Sequence, residues 1–354
     1  MKCFAILAAA VMSLTACLPA AANNEMPPVQ VSAKGCAVID ALSGDVVYAK
    51  NENVRMPMAS TTKIMSAYIT LMQDGLDVPF TVDSEAIRVE GSSMGLKEGD
   101  TVTLRALVYG MLLPSGNDAA NAAAVRIAGS VEGFVEMMNS MAAEMGLENT
   151  HFVTPSGLDD CTDEHYSTAL DMAKLARKAM QNEIFAEICA QTSASVEFGA
   201  PPYKRTLHNT NRLLSMCKGA VGVKTGFTDK AGRCLVSACE RDGARLVCVT
   251  LNDPNDWKDH QTLYDRCFGG MKKISLSPEL SGYVIPSAED GVEVKAACVS
   301  EDILLTESAA GRLERVTVIA PFLYLPVNDG DKVGETRFYL DGVLLRTLDI
   351  TVRK

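Results

Sequence analysis

Histidine is scarce in this 354-residue sequence, with four copies, and none of the eleven cysteines lies in a Cys-x-x-Cys pair. The usual Cys/His zinc sites need such ligands at close spacing, so we predict no metal site and no other cofactor. Basic residues are also in the minority, since 33 Lys and Arg face 44 Asp and Glu and leave a net charge of −11. Nucleic-acid binding needs a basic surface, so we exclude a nucleic-acid partner.

The first 22 residues have the pattern of an export signal. A positive Lys2 precedes an apolar run over 4–16, and small residues end at Ala22. The run is about 13 residues long, too short for a bilayer span of roughly 20. Leu14 to Cys17 also resembles a lipobox, which would tether the protein to a membrane through a lipid on Cys17. Both alternatives, cleavage after Ala22 and lipidation, predict an extracytoplasmic protein: secreted, in the periplasmic or cell-wall space, or on the outer face of the membrane.

The cysteine count is unusual for an exported protein. Removing Cys3 and Cys17 leaves nine, an odd number that cannot pair completely. Cys234 and Cys239 lie five apart in a predicted strand, so their side chains point to opposite faces. We therefore expect most of these thiols to be buried small hydrophobes without a redox role.

Hydrophobic periodicity predicts an α+β fold with two domains, at residues 29–274 and 287–354, joined by a Pro-containing linker over 275–286. The larger domain mixes helices and strands, and the smaller is β-rich, with no cluster that suggests chemistry. The predicted helices start at Ser60 and cover 104–112, 117–127, 131–145, 167–180 and 257–268. The predicted strands cover 35–39, 46–49, 219–224, 234–238 and 246–251, then 292–298, 316–319, 335–340 and 343–352.

Three short motifs occur in order: Ser60–Lys63 (S-x-x-K), Ser115–Asn117 (S-x-N) and Lys224–Gly226 (K-T-G). The first two arise easily by chance, as a second S-x-x-K at Ser215–Lys218 demonstrates. The third is rarer. The fixed order and the flanking predicted structure therefore carry the weight of the interpretation.

The spacing suits a serine nucleophile. Lys63 lies one helical turn after Ser60, on the same face. A serine hydroxyl needs a neighbour to take its proton, and a lysine can do so only when its amine is neutral. Burial or a second cation such as Lys224 would keep it neutral.

Each motif also has a simpler interpretation. Ser60 could be a helix N-cap, Ser115–Asn117 an ordinary turn, and Lys224 a solvated strand end. The occurrence of all three motifs in this order favours a catalytic role over these simpler interpretations for each motif.

The sequence resembles the penicillin-binding protein and serine β-lactamase superfamily, whose motifs are S-x-x-K, S-x-N and K-T-G. It is most similar to the D-alanyl-D-alanine carboxypeptidases, over residues 29–273. The matching stretches are Pro57–Lys63, Ser115–Asn121, Asn209–Leu214 and Gly222–Gly232. The resemblance implies a β-lactamase/transpeptidase-like catalytic domain that cleaves the terminal D-alanine from peptidoglycan stem peptides and binds β-lactam antibiotics.

The resemblance also implies the residue roles. Ser60 would attack the peptide carbonyl, Lys63 would take its proton, and Ser115 would pass a proton to the departing D-alanine. The backbone N–H groups of Ser60 and Phe227 would form the oxyanion hole.

Substrate binding is implied by the same resemblance. Lys224 and Thr225 would hold the substrate's terminal carboxylate, Asn117 would hold its peptide, and Gly226 would leave room for its backbone. Many members end in an amphipathic membrane-surface helix, whereas Ile350–Lys354 is short and strand-like, so we expect no such anchor.

Four alternatives remain. The same site chemistry serves a peptidoglycan endopeptidase. A class A β-lactamase would add a Glu-x-x-Leu-Asn stretch, which we do not find between Asn117 and Lys224. An α/β-hydrolase is suggested by Gly91–Gly95, which fits G-x-S-x-G, but residues 96–100 read as a turn where that fold needs a helix. A non-catalytic penicillin-sensing or wall-binding protein would keep the cleft without turnover.

Overall fold

The structure is a computed structural model that describes residues 29–159, 162–278, 280, 284–287, 294–324 and 326–353. The export signal and the lipobox cysteine lie outside the described residues, as do Cys161 and the first two residues of the predicted strand at 292–298. The chain divides into two compact units, residues 27–270 and residues 271–354, apart from the N-terminal 26 residues. No helix in the described ranges is long and apolar enough to cross a membrane.

The first unit contains nine strands and eight helices within its described part. The strands are β1 Gly35–Asp40, β2 Val46–Lys50, β3 Phe80–Thr81, β4 Thr101–Val102, β5 Ser193–Gly199, β6 Pro202–His208, β7 Ala220–Thr228, β8 Gly232–Arg241 and β9 Ala244–Leu251. The helices are α1 Lys63–Leu71, α2 Leu104–Leu112, α3 Asn117–Ala128, α4 Val131–Glu144, α5 Ala169–Ala179, α6 Glu183–Cys189, α7 Leu213–Met216 and α8 Asp256–Gly269.

A five-stranded antiparallel sheet is the centre of this unit, with the order β2-β1-β9-β8-β7. The central strand β9 is apolar along both faces because both are covered. Val247 and Val249 belong to the main core together with residues of α1 and α5. Thr250, on the other face, meets His260 of α8. This packing leaves β7, which carries the K-T-G residues, at the edge of the sheet with only one side paired in it.

The helical region packs on α1, with α2 and α3 against it and α4 outside. Helix α3 carries six alanines in twelve residues, and these small side chains allow close helix packing around it. Hydroxyl caps define several starts, for example Thr103 and Ser130, whose side chains accept N–H groups of the first turn. The helices therefore begin where the predicted ones do, within two or three residues.

Six elements of this unit are absent from the predictions: helix α6, the short helix α7, the two strands of the hairpin β5–β6, and the two-residue strands β3 and β4. The hairpin joins β3 and β4 in a small four-stranded sheet of order β3-β4-β5-β6. The predicted helix from Ser60 begins instead as a 3-10 turn, Ala59–Thr62, and becomes α-helical at Lys63.

The second unit is β-rich, as predicted. It contains β10 Lys272–Leu276, β11 Val284–Ile285, β12 Val294–Cys298, β13 Glu301–Leu305, a short helix α9 Glu307–Gly311, β14 Leu313–Ile319, β15 Lys332–Leu340 and β16 Val343–Arg353. Strands β10 and β13 pair, and the others form a sheet of order β11-β12-β16-β15-β14. Part of the predicted linker is thus strand, at β10 and β11. The functional domain boundaries stay a prediction.

Candidate active site

Ser60 lies in a tight turn at the start of α1. Ala59 has a positive φ of 48°, which an L-residue adopts only at a cost. Two hydroxyls secure the turn: Thr61 Oγ1 donates to Met58 O at 2.6 Å, and Thr62 Oγ1 donates to Ala59 O at 2.8 Å. Neither the turn nor α1 has a side-chain N-cap bond, so Ser60 does not act as a helix cap.

Lys63 is fully buried directly behind Ser60. Its Nζ lies 2.9 Å from Ser60 Oγ and donates to Asn117 Oδ1 at 2.7 Å and to Ser156 O at 2.6 Å. Burial, and next the charge of Lys224, hold the pKa of Lys63 well below its ordinary value, although Asp118 opposes this. An amide oxygen and a backbone carbonyl can only accept, so when the amine is neutral they take its two N–H groups. Its lone pair then faces the Ser60 hydroxyl, the arrangement that a general base requires.

The S-x-N loop forms a second wall of the site. Ser115 is buried and has a positive φ of 67°, and Asn117 opens helix α3. Asn117 Nδ2 donates to Glu90 O at 2.7 Å, while its oxygen accepts from Lys63. The amide of Asn117 is therefore engaged on both sides by the protein, and it fixes Lys63.

Asp118 lies beneath this loop and holds the segment that follows Glu90. Its carboxylate accepts from Ser93 Oγ at 2.6 Å, from Met94 N at 2.9 Å and from Leu96 N at 3.0 Å. Ser93 is thus a structural hydroxyl, and residues 96–98 are irregular. This geometry excludes the nucleophile elbow of an α/β-hydrolase at Gly91–Gly95.

Strand β7 supplies the third wall. Lys224 is buried, donates to Thr225 O at 2.8 Å, and burial lowers its pKa to about 7. Thr225 Oγ1 shares a hydrogen bond of 2.7 Å with Thr210 Oγ1. Gly226 faces the nucleophile turn, where an added Cβ would lie 3.0 Å from Met58 O and 3.2 Å from Ser60 N. A side chain at this position would push β7 and the nucleophile turn apart by a few tenths of an ångström.

These walls enclose a cleft of about 540 Å³. Five of the eight sequence-predicted site residues line it, and the other three, Lys63, Asn117 and Lys224, are buried beside it. The lining residues are Ser60, Ser92, Ser115, Asn209, Thr210, Arg212, Thr225, Gly226, Phe227, Arg233, Asp256 and Trp257. None of these is a cysteine, and no group of three or more metal-ligating side chains occurs in the described part of the chain.

The segment around Ser156 was missed by sequence reasoning. Ser156 contributes a main-chain oxygen to Lys63, a role that leaves no side-chain signature. Gly157, with φ +90°, lies against the nucleophile turn, and a Cβ there would meet Ala59 O at 2.1 Å. The sequence feature that could have indicated this segment is the dipeptide Ser156–Gly157 before the apolar residue Leu158.

His165 was also missed. Val153 N donates to its Nδ1 at 2.9 Å, so the proton sits on Nε2 and is donated to Thr62 Oγ1 at 2.8 Å. Thr62 in turn donates to Ala59 O. Burial lowers the pKa of His165 to about 3, which keeps the imidazole neutral. His165 therefore supports the turn that carries Ser60.

One end of the cleft combines a guanidinium with aromatic rings. Arg233 Nη2 donates to both oxygens of Asp256 at 2.8 Å, and its guanidinium carbon lies 5.2 Å from the Trp257 ring centre. Arg233 pairs across the strands with the exposed Phe227. Sequence reasoning could not place α8 beside this hairpin.

Comparisons with known proteins agree with this geometry. The family model for D-alanyl-D-alanine carboxypeptidase (Peptidase_S11) matches residues 21–255. The carboxypeptidase DacB2 of Mycobacterium tuberculosis is 36% identical over 250 residues, which cover 69% of this chain and 83% of that protein. DacC of Escherichia coli is 30% identical over 341 residues, covering 91% of this chain and 84% of that protein.

Solved structures give the same result. The Streptomyces K15 DD-transpeptidase superposes with a TM-score of 0.64 at 31% identity, over 69% of this chain and 98% of that one. DacD of Francisella tularensis covers 95% of this chain and 96% of its own, with a TM-score of 0.64 and 25% identity. The fold and site thus define a serine penicillin-binding enzyme. The chain belongs to the D-alanyl-D-alanine carboxypeptidase family of peptidoglycan hydrolases, which confirms the predicted fold class and family.

Proposed function

We propose that this serine-type carboxypeptidase removes the terminal D-alanine from peptidoglycan stem peptides through an acyl-enzyme on Ser60. The observation that carries this proposal is the 2.9 Å contact of Lys63 Nζ with Ser60 Oγ, made by an amine whose two other neighbours can only accept hydrogen bonds. No other serine–lysine pair in the three motifs has this geometry among the described residues.

Acylation follows from this pair. Ser60 Oγ attacks the carbonyl between the two D-alanines as its proton passes to Lys63. The negative charge that develops on the carbonyl oxygen lies beside the N–H groups of Ser60 and Phe227, which Gly226 allows to come close. Such preorganised donors usually give the largest part of the stabilisation in acyl transfer.

The leaving group then needs a proton and a binding site. Ser115 lines the cleft with Ser60, and we assign it the transfer of the proton from Lys63 to the D-alanine nitrogen as the C–N bond breaks. Lys224 and Thr225 hold the terminal carboxylate. A water molecule then attacks the acyl carbonyl while Lys63 accepts its proton, and Lys63 returns this proton to Ser60 Oγ as the ester bond breaks.

The role expected for Asn117, holding the substrate peptide, stays a prediction. In the structure both ends of its amide are occupied, by Lys63 and by Glu90 O. Substrate binding by Nδ2 would require the bond to Glu90 O to open. Positioning of Lys63 is the role that its contacts support.

β-Lactams would acylate the same serine and leave slowly. The enzyme would act outside the cytoplasm, after export directed by residues 1–22. Release after Ala22 and a lipid tether on Cys17 are separated by detergent phase partitioning of the mature protein: only the tethered form enters the detergent phase.

The activity is tested by release of D-alanine from an acylated tripeptide that ends in Lys-D-Ala-D-Ala. We expect release by the wild type and none by Ser60→Ala. The matched control is Ser215→Ala, which removes the exposed serine of the other S-x-x-K sequence and should leave the rate unchanged. Cleavage of a cross-linked dimer in preference to the tripeptide would instead favour the endopeptidase, and equal loss in both variants would contradict the assignment of Ser60.

A further inference from the structure

Two thiols and a guanidinium surround one carbonyl oxygen at the entrance to β7. Cys217 follows α7, and Cys239 lies on β8. Their Sγ atoms are 3.9 Å and 3.5 Å from Lys218 O. Arg241 Nη2 lies 3.7 Å from Cys217 Sγ, and its Nε is 3.4 Å from the same oxygen. This thiol cluster lies outside the residues that line the cleft.

The chain brings the two cysteines to the same end of the β7–β8 pair. Ala220 N donates to Cys217 O at 3.1 Å, which closes a turn, and Ala220 is the cross-strand partner of Cys239. Ala220 therefore neighbours both cysteines, Cys217 through the turn and Cys239 through strand pairing. A disulfide would require their Cα atoms to lie about 4.4–6.8 Å apart. Both thiols point to the same acceptor, Lys218 O, from the two sides of this strand pair.

The surroundings also activate one of the thiols. The hydrogen bond from Cys239 and then the Arg241 guanidinium lower the pKa of Cys217 to about 6, although burial and Asp265 oppose them. Other buried thiols behave in the opposite way, since burial raises the pKa to about 12 at Cys189, Cys234 and Cys267. Cys217 also keeps 6% of its surface exposed, while Cys239 keeps none. The pair therefore has an attacking thiolate and a sheltered partner.

We propose that Cys217 and Cys239 are a dithiol oxidation site whose product is a disulfide between the α7–β7 connection and strand β8. The oxidant is a disulfide compound or a disulfide-exchange protein. Cys217 attacks one sulfur of the oxidant, forms a mixed disulfide and releases the first thiol. Cys239 then loses its proton, attacks Cys217 and releases the second thiol. Two protein thiols are oxidised, and one disulfide is reduced to two thiols.

The bond would enclose the K-T-G strand. It would close a loop of about 23 residues that contains Lys224–Gly226 and the turn to β8. Closing a loop of this length restricts the unfolded chain, which predicts a rise in the melting temperature on the order of 5–10 °C. Neither Cys217 nor Cys239 lines the cleft, so penicillin acylation should proceed in both redox forms.

The experiment equilibrates the purified protein with oxidised glutathione, followed by acid quenching, alkylation and tryptic mapping. Cleavage after Arg212, Lys218, Arg233 and Arg241 places Cys217 in peptide 213–218 and Cys239 in peptide 234–241. The second peptide also contains Cys234, which makes Cys234→Ser the matched control. We expect the two peptides linked in the wild type and in Cys234→Ser, and unlinked in Cys217→Ser and Cys239→Ser.

A rise in the melting temperature on oxidation should accompany the link and be absent from both linkage-deficient variants. Free thiols at both positions after equilibration would overturn the proposal. So would a link that survives in Cys239→Ser, or a stable glutathione adduct on Cys217. These readouts do not depend on carboxypeptidase activity, so the proposal and the proposed function can fail separately.

Discussion

Gly157 gives the sharpest test of how the nucleophile turn is held. An alanine at this position would place its Cβ 2.1 Å from Ala59 O and 2.5 Å from the carbonyl carbon. Favourable contacts to carbon lie near 3.5 Å, so the two segments would have to separate by about 1 Å. Because Ala59 immediately precedes Ser60, the shift moves the nucleophile.

The expected effect of Gly157→Ala has two parts that can be measured separately, a loss of stability and a loss of acylation rate. A positive φ costs an alanine about 1–2 kcal/mol in stability, which lowers the melting temperature by roughly 2–8 °C in a domain of this size. Displacement of a reacting group by about 1 Å costs on the order of 100-fold in rate. Gly146 isolates the first part, since it has φ +67° and no atom within 4 Å of an added Cβ.

The assay is the rate of acylation by a fluorescent penicillin, measured beside thermal melting. Gly157→Ala should lose stability and about 100-fold in acylation, whereas Gly146→Ala should lose stability alone. Acylation of Gly157→Ala at the wild-type rate would refute the reasoning, and so would an equal loss of rate in both variants.

Two further predictions concern charge. Lys224→Gln removes the second cation and raises the pKa of Lys63, so the rising limb of the acylation rate against pH should move to higher pH. The control Lys230→Gln, on the exposed hairpin, should leave this limb in place. An unmoved limb in Lys224→Gln would contradict the effect of the Lys224 charge on the pKa of Lys63. Burial depresses the pKa of His165 and of His260 to about 3 from 6.5, so each destabilises the fold as pH falls below 6.5, by about 2 kcal/mol between pH 7 and 5. His165→Gln removes one of these two contributions, so the free energy of unfolding should fall by about 2 kcal/mol less between pH 7 and 5, as measured by urea denaturation. An unchanged dependence on pH would show that His165 is not buried as a neutral group.

Much of the site could be predicted because its parts are local in sequence. Ser60 and Lys63 are one helical turn apart, and Lys224, Thr225 and Gly226 are consecutive. The local spacing therefore places the residues of each motif next to one another. The rest depends on long-range packing. His165 and Ser156 reach the site from a loop about a hundred residues after the nucleophile, and their backbone or relayed contacts leave no motif.

The elements of the fold likewise divide into those that local sequence patterns predict and those that they do not. The central strands have continuous apolar runs, and the hydroxyl caps mark helix starts. The strands of the hairpin at Ser193–His208 are mostly exposed, so their apolar alternation is weak, although Gly199 and Pro201–Pro202 mark the turn between them. The thiol cluster is a third case, because alternation along β8 excludes a bridge between Cys234 and Cys239 but says nothing about Cys217.

The central claim is that Ser60 is the nucleophile activated by Lys63. Intact mass spectrometry after penicillin treatment tests it most directly, with the adduct followed over hours in the wild type, Ser60→Ala and Ser215→Ala. The account predicts one slowly decaying adduct on the wild type and on Ser215→Ala, and none on folded Ser60→Ala. An adduct on Ser60→Ala, or none on the folded wild type, would contradict it.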